Sequence, residues 1–352
     1  MHYFLAFALA LVLSALFTPV VRRLALKFDI VDRPGSRKVH KEPIAYLGGL
    51  AIFFAFLIAV AINLSLSRQL DALLVGSAIL VMVGAIDDVK GLSPWVKLGW
   101  QFVAAAVALA GGIGITSFTN PLGGEIILNH WRFGVDLVGL HFHISPLANA
   151  LSLLWMVGLA NTINFLDGLD GLACGISGIA ATIMFALSVG PHVKQPGVAL
   201  LAIILAGAAF GFLPYNFHPA KIFMGDSGAL FLGLVLAMLA IYSGAKLATA
   251  TLVLGFPIVD ALWAVIRRLY RRTSPFRADR GHFHHLLLDV GLSQRQAVLI
   301  LYAVSAAFGI TALFSGSFAK LIALIILVII MAMAITILLT ISLRRQKLIK
   351  TS

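Results

Sequence analysis

Charge is what this sequence has least of. Asp, Glu, Lys and Arg make up 11% of its 352 residues, against about 25% in an average soluble domain. So few charges cannot cover a water-facing surface, and 61% hydrophobic residues exclude a disordered chain. The single cysteine, Cys174, excludes a disulfide or a thiolate metal site within the chain. Acid is scarcer still than base: 14 Asp and Glu stand against 26 Lys and Arg, a formal net charge of +12. In a soluble protein that surplus would suggest nucleic acid. Here its placement argues for no nucleic-acid partner.

What the sequence has is long apolar runs. A spanning helix needs about 20 mainly apolar residues. Eleven runs qualify as candidates: 2–21, 46–64, 70–86, 97–117, 146–162, 171–190, 197–213, 227–243, 247–266, 296–315 and 318–343. The expected fold is an all-α polytopic membrane protein of about 11 transmembrane helices, one domain over 1–352. No Lys or Arg precedes the first run and ten more follow it, which argues against a cleaved signal peptide. The segment 118–146 alternates in LHFHIS and is expected to form a small extracytoplasmic β-hairpin. His141 and His143 then share a face, read as strand and not as a metal site.

The basic residues orient the chain. All but Arg68, Arg132, Lys194, Lys246 and Lys320 fall in the loops 22–45, 87–97, 163–170, 214–226 and 267–295 or in the tail after 343. Cytoplasmic loops carry the Lys/Arg excess, so the N-terminus is expected outside and the C-terminus inside. Most acids lie on that same face, whereas Asp260 lies within a run. Acid and base mixed on one face suggest a site that handles a cation and anions together.

Five segments carry the chemistry. In NTINFLDGLDGL, Asn161, Asn164, Asp167 and Asp170 recur every third residue, a spacing that makes neighbours on a helix. Capping accounts for one or two such residues, not four. In FMGDSGA, Asp226 precedes an apolar run, with Lys221 five residues earlier. Carboxylate oxygen suits a hard cation, and a helix N-terminus suits phosphate. Asp87 and Asp88 are adjacent at the end of a run and so face apart; one is expected on metal and the other on a nucleophile. The loop RRLYRRTSPFRADRGHFHHLLLD holds His282, His284 and His285, and Arg277 and Arg280 suit bidentate phosphate contacts. For Arg267, Arg268, Arg271 and Arg272, site and headgroup anchor weigh equally. Finally, Arg37, Lys38 and His40 in DRPGSRKVH are candidate phosphate contacts, before the pair Gly48–Gly49.

Together, and in this order over roughly residues 20–295, these segments resemble the polyprenyl-phosphate N-acetylhexosamine-1-phosphate transferase family. The resemblance implies transfer of a sugar 1-phosphate from a UDP-sugar to undecaprenyl phosphate at the cytoplasmic face of the bacterial inner membrane, with release of UMP. It implies Mg²⁺ or Mn²⁺ as cofactor. By position, Asp87 and Asp88 resemble the family's paired acids, Asp167 and Asp170 its NxxNxxDGxDGL motif, and Asp226 its FMGD acid. Metal ligation is implied for Asp226, with Asp88 or Asp167 assisting, and nucleotide contact for Asn164. HFHH and DRPGSRKVH resemble the branch that starts O-antigen or wall-polymer synthesis more than the murein branch. UDP-N-acetylglucosamine is therefore expected over UDP-N-acetylmuramoyl-pentapeptide. Ala229, where Ser or Thr is commoner, bears on sugar choice and not on chemistry. Asp87 is expected to orient or deprotonate the lipid phosphate, and the histidines with Arg280 to stabilise phosphoryl charge. The reading admits a homodimer. A transporter or flippase is the rival class, but no repeated halves are present.

Overall fold

Lipid offers no hydrogen-bond partner, so each apolar run must satisfy its own backbone as helix. The computed structural model describes residues 1–33, 43–137, 140–191, 193–243, 247–272 and 281–351, with backbone alone at 135–137, 140–143 and 342–351. The helices are α1 His2–Lys27, α2 Gly48–Asn63, α3 Arg68–Lys90, α4 Pro94–Ala110, α5 Pro146–Leu166, α6 Leu172–Val189, α7 Pro196–Asn216, α8 Gly225–Tyr242, α9 Leu247–Val253, α10 Gly255–Tyr270, α11 Phe283–Asp289, α12 Gln294–Phe314 and α13 Ser317–Thr351. Each of the eleven apolar runs is thus helical over most of its length, although the run 97–117 leaves its helix at Ala110. Among the described residues, eight helices are long and apolar enough to cross a membrane. The pair α9 and α10, bent by 79° at Leu254, counts as a ninth span if taken together. At 16 and 17 residues, α2 and α4 are shorter.

Six short strands pair locally. They are β1 Val31–Asp32, β2 Ile44–Ala45, β3 Ser117–Thr119, β4 Glu125–Ile127, β5 Phe133–Leu137 and β6 Leu140–Ile144. β5 and β6 form the hairpin expected from the alternation, with Phe133 opposite Ile144 and Leu137 opposite Leu140. The side chains of His141 and His143 lie outside the described residues. β3 and β4 form a second hairpin just before it, too short for alternation to reveal.

The bundle is built around α8. Nearly all of it is buried, and it packs against α2, α3 and α5. With lipid on one side and protein on the other, close backbone approach drives such packing. A methyl group at Gly49 of α2 would run into the backbone of Gly228, one at Gly84 of α3 into Ser227, and one at Gly233 into Ala160 of α5. The outer helices reverse the soluble pattern: Phe4, Leu16, Ile329 and Ile337 on α1 and α13 are exposed.

Backbone bonds hold the start of α8 to the start of α2. Gly48 N–H donates to Phe223 O at 2.9 Å and Gly49 N–H to Met224 O at 2.8 Å. Phe223 N–H donates to Ala45 O at 2.8 Å. The FMGD segment is thereby fixed from two directions before its side chains are considered.

The Gly49–Gly228 contact is backbone on backbone and cannot yield by a rotamer change. Gly49→Val is expected to destabilise by about 1–3 kcal/mol or more, read as a lower thermal midpoint in detergent. Gly99→Ala, where an added methyl meets nothing, is expected to leave the midpoint unchanged or raise it slightly.

Candidate active site

The first N–H groups of any helix lack intrahelical partners. In α8 they are met by a carboxylate from another helix. Asp88 Oδ1 accepts from Asp226 N–H at 2.8 Å, and Asp88 Oδ2 accepts from Ser227 N–H at 3.3 Å and Ser227 Oγ–H at 2.9 Å. Gly225 makes room for this: its φ is 72°, and a side chain there would strike the Asp88 carboxylate. Both oxygens of Asp88 thus accept from the start of α8, which gives it a positioning role there.

Asp87 faces the other way, as adjacency required. It accepts from Leu92 N–H at 2.6 Å and from Lys97 Nζ at 3.0 Å. The same ammonium donates to Asp226 at 2.8 Å, so Lys97 bridges two carboxylates from different helices. The second oxygen of Asp226 accepts from Asn164 Nδ2 at 2.8 Å. One helical turn back, Asn161 exchanges amide hydrogen bonds with Gln101, at 2.5 and 3.2 Å.

The three-residue repeat does not continue as one helical patch. α5 stops at Leu166 and Asp167 is its C-cap. Asp167 stays with the cluster. Burial pushes its carboxyl up to about 8, and Asp226, Asp88 and Asp170 push it the same way. Asp170 lies past the helix end and is held elsewhere, by His218 Nδ1 at 2.7 Å and Ala220 N–H at 3.1 Å. Lys221 is also apart, exposed beyond the end of α7.

The histidine loop closes the site from α10 and α11. His282 Nδ1 lies 2.9 Å from Asp260 Oδ2, and Asp260 Oδ1 accepts from Phe283 N–H at 2.7 Å. Arg268 Nη2 approaches His282 Nε2 at 3.3 Å and its guanidinium lies over the Phe165 ring, 5.6 Å from the centroid. A guanidinium can only donate, so Nε2 accepts and Nδ1–H faces Asp260. His284 stacks on His282 at 5.6 Å and touches His285 at 4.4 Å. It packs beneath Gly168, where a methyl group would fall 2.5 Å from His284 Nε2. Burial, then His285 and His282, hold the His284 imidazole well below the usual range, so it is neutral. Both its ring nitrogens are buried without a hydrogen-bond partner among the described residues, which is costly unless a ligand completes them.

Part of this cluster lines a polar pocket of about 280 Å³ whose walls include Lys97, Gln101, Asn164, Asp167, Asp226, Arg268 and His282. A larger groove of about 780 Å³, almost wholly apolar, runs along α5, α10 and α13. Asn161 and Phe165 belong to both. Among the described residues, no three His, Cys, Asp or Glu side chains are drawn together tightly enough to hold an ion alone. The donor set nonetheless suits a hard cation: Asp226, Asp167 and Asn164 offer oxygen, and Asp167 is a buried carboxyl close to those of Asp226 and Asp88.

The structure brings together Asp87, Asp88, Asn161, Asn164, Asp167, Asp226, His282, His284 and, through ring contact, His285. It leaves out Asp170 and Lys221. Arg37, Lys38, His40, Arg277 and Arg280 lie outside the described residues. Lys97, Gln101, Ser227 and Asp260 were missed, and Arg268 was left undecided. A lone acid inside an apolar run, as Asp260 is, was a usable signal. For Lys97, which meets Asp226 across 129 residues, no local signal exists. Tyr46 was missed as well. Its phenol is pushed up by burial and by the carboxylates of Asp32, Asp88, Asp167 and Asp226.

Comparison with known proteins gives consistent results. The family described as Glycosyl transferase family 4 matches residues 70–244. The chain is 36% identical over 317 residues to a probable undecaprenyl-phosphate N-acetylglucosaminyl 1-phosphate transferase of Bacillus subtilis, covering 88% of this chain and 83% of that protein. It is 35% identical over 325 residues to a decaprenyl-phosphate N-acetylglucosaminephosphotransferase of Mycobacterium tuberculosis, covering 83% and 77%. A phospho-N-acetylmuramoyl-pentapeptide-transferase of Shouchella clausii is 32% identical over 333 residues, covering 89% and 95%.

Removing the Asp88 carboxylate strands the N–H groups of Asp226 and Ser227. Asp88→Ala is expected to cost about 1–3 kcal/mol, read as a lower thermal midpoint. Asp88→Asn keeps one acceptor oxygen and is expected to lose less.

Proposed function

The chain belongs to glycosyl transferase family 4, and from that premise we propose that it transfers N-acetylglucosamine 1-phosphate from UDP-N-acetylglucosamine to undecaprenyl phosphate, releasing UMP. One observation carries the reading beyond the family. The apolar groove and the polar pocket share Asn161 and Phe165, so a lipid lying in the first would present its headgroup to the second. Neither a soluble substrate nor a transported ion requires that junction.

The reaction brings two anions together. An oxygen of the lipid phosphate attacks the sugar-bearing phosphorus, the bond to UMP breaks, and UMP leaves. Lys97 and Arg268 are the fixed cations in the pocket and reduce the repulsion between the two. Asp260 sets the His282 tautomer and with it the Arg268 guanidinium. His284, neutral, is a hydrogen-bond donor to a phosphoryl oxygen and not a third cation. Asp87, held against Lys97, orients the lipid phosphate, which is already anionic near neutral pH. Mg²⁺, or Mn²⁺, would be held by Asp226 and Asp167 and would screen the diphosphate. Asp88 acts through Asp226, by fixing the start of α8.

The placement of the site agrees with eleven crossings of one domain, in which α2, α4 and the bent pair α9 and α10 count as spans. The N-terminus then lies outside and the pocket opens to the cytoplasm, at a bacterial inner membrane. The product would begin a cell-envelope polysaccharide such as O-antigen or teichoic acid.

The test is a reconstitution with undecaprenyl phosphate, Mg²⁺ and one radiolabelled UDP-sugar at a time. Lipid-linked label and UMP are expected with UDP-N-acetylglucosamine, lost on chelation and restored by Mg²⁺. Asp226→Asn and Lys97→Met are each expected to lower turnover about 10²-fold or more. Product with UDP-N-acetylmuramoyl-pentapeptide alone would place the chain in the murein branch, and near-normal turnover of Asp226→Asn would remove the metal assignment.

A further inference from the structure

Lys221 and His218, the partner of Asp170, meet at a third cavity. It measures about 470 Å³ and is lined by Phe210, Leu213, Phe217, His218, Lys221 and Tyr302 among others. Two of its lining rings pack closely on glycines of α6: a methyl at Gly178 would strike Phe210, and one at Gly175 would strike Tyr302. Tyr302 Oη–H donates to Gly171 O at 2.5 Å, which fixes the α12 wall. The cavity shares no residue with the polar pocket or with the apolar groove.

One end of this cavity is basic. Lys221 is exposed on the loop after α7, and two arginines clasp that loop. Arg22 of α1 donates Nε–H to Lys221 O at 3.0 Å, and Arg295 of α12 donates Nε–H to His218 O at 2.9 Å. Among the described residues, the Lys221 ammonium and the terminal nitrogens of both guanidiniums have no protein partner. The body of the cavity is apolar, lined by Phe210, Leu213, Pro214, Phe217 and Pro219. A ligand for it needs an anionic head and an apolar body. A nucleotide has only the first.

We propose that this cavity holds an anionic phospholipid, its phosphate against Lys221 and Arg295 and an acyl chain along Phe210, Leu213 and Phe217. Basic pockets between spanning helices recognise lipid headgroups in this way. The assignment to the cytoplasmic leaflet rests on the orientation proposed above, whereas the lipid contact itself does not.

The experiment reads lipid and not activity, so its failure is separate from failure of the proposed reaction. The full chain is placed in nanodiscs of equal phosphatidylglycerol and phosphatidylcholine with a small share of undecaprenyl phosphate, released, and weighed by native mass spectrometry. The wild type is expected to retain phosphatidylglycerol preferentially. Lys221→Met and Arg295→Gln are each expected to weaken that retention about fivefold. Should Arg295→Gln fail to fold, Lys221→Met decides, because methionine keeps the apolar stem on an exposed position. Equal retention of the two lipids by the wild type would overturn the proposal, as would undiminished phosphatidylglycerol on the folded Lys221→Met protein. Loss of undecaprenyl phosphate in place of phosphatidylglycerol from that variant would equally overturn it, by making the cavity part of the acceptor site.

Discussion

The start of α8 is the constraint on which the rest of the site depends. A helix buried on every side presents N–H groups that neither water nor lipid can satisfy. Asp88 satisfies them from α3, and the close approach at Gly84, Gly225 and Gly228 lets it reach. That contact fixes Asp226 beside Asp88, so Asp226 needs a cation and finds Lys97 of α4. Lys97 in turn draws in Asp87, and Asn164 of α5 takes the remaining oxygen of Asp226. Four helices are registered at one level of the membrane by a chain of charge-assisted bonds, each link created by the need to neutralise the one before it.

The two cavities divide the work by polarity. The groove is lined mainly by apolar side chains, with Lys320 its one charged lining residue among the described residues, and the polar pocket collects carboxylates, a lysine and an arginine within about 280 Å³. Their junction at Asn161 and Phe165 falls one helical turn from the cluster on α5. Phe165 serves both sides, with its ring beneath the Arg268 guanidinium and its edge on the groove. The histidine loop adds direction more than charge: Asp260 holds His282, His282 meets Arg268, and His284 stays neutral.

Much of this was legible in the sequence, for reasons that differ by residue. Every apolar run became a helix because hydrophobicity alone dictates that outcome in lipid. Asp226 and Asn164 were legible because polar residues at the ends of apolar runs are costly without a purpose. Asp170 looked equivalent to Asp167, but the equivalence assumed a continuous helix. α5 stops at Leu166, and after the turn the side chain of Asn216 accepts from Gly171 N–H at 3.1 Å. For Asp88 the sequence shows a carboxylate but not the helix end that it meets. Lys97 stood at the head of an apolar run, where one lysine resembles any anchor, and only the fold brings Asp226 to it.

The bend of 79° between α9 and α10 has a consequence for how a substrate finds the enzyme. Residues on both sides of the bend line the groove, and its lining residues Leu154 and Leu262 are exposed, so the groove opens onto the apolar outer surface of the bundle. A lipid acceptor can then arrive by sliding within its own leaflet, and its encounter rate is set by surface density and lateral diffusion. In the proposed reaction the nucleotide sugar arrives through three-dimensional solution, at the polar pocket. Supply of the two reactants is therefore uncoupled: enlarging the membrane dilutes one without touching the other.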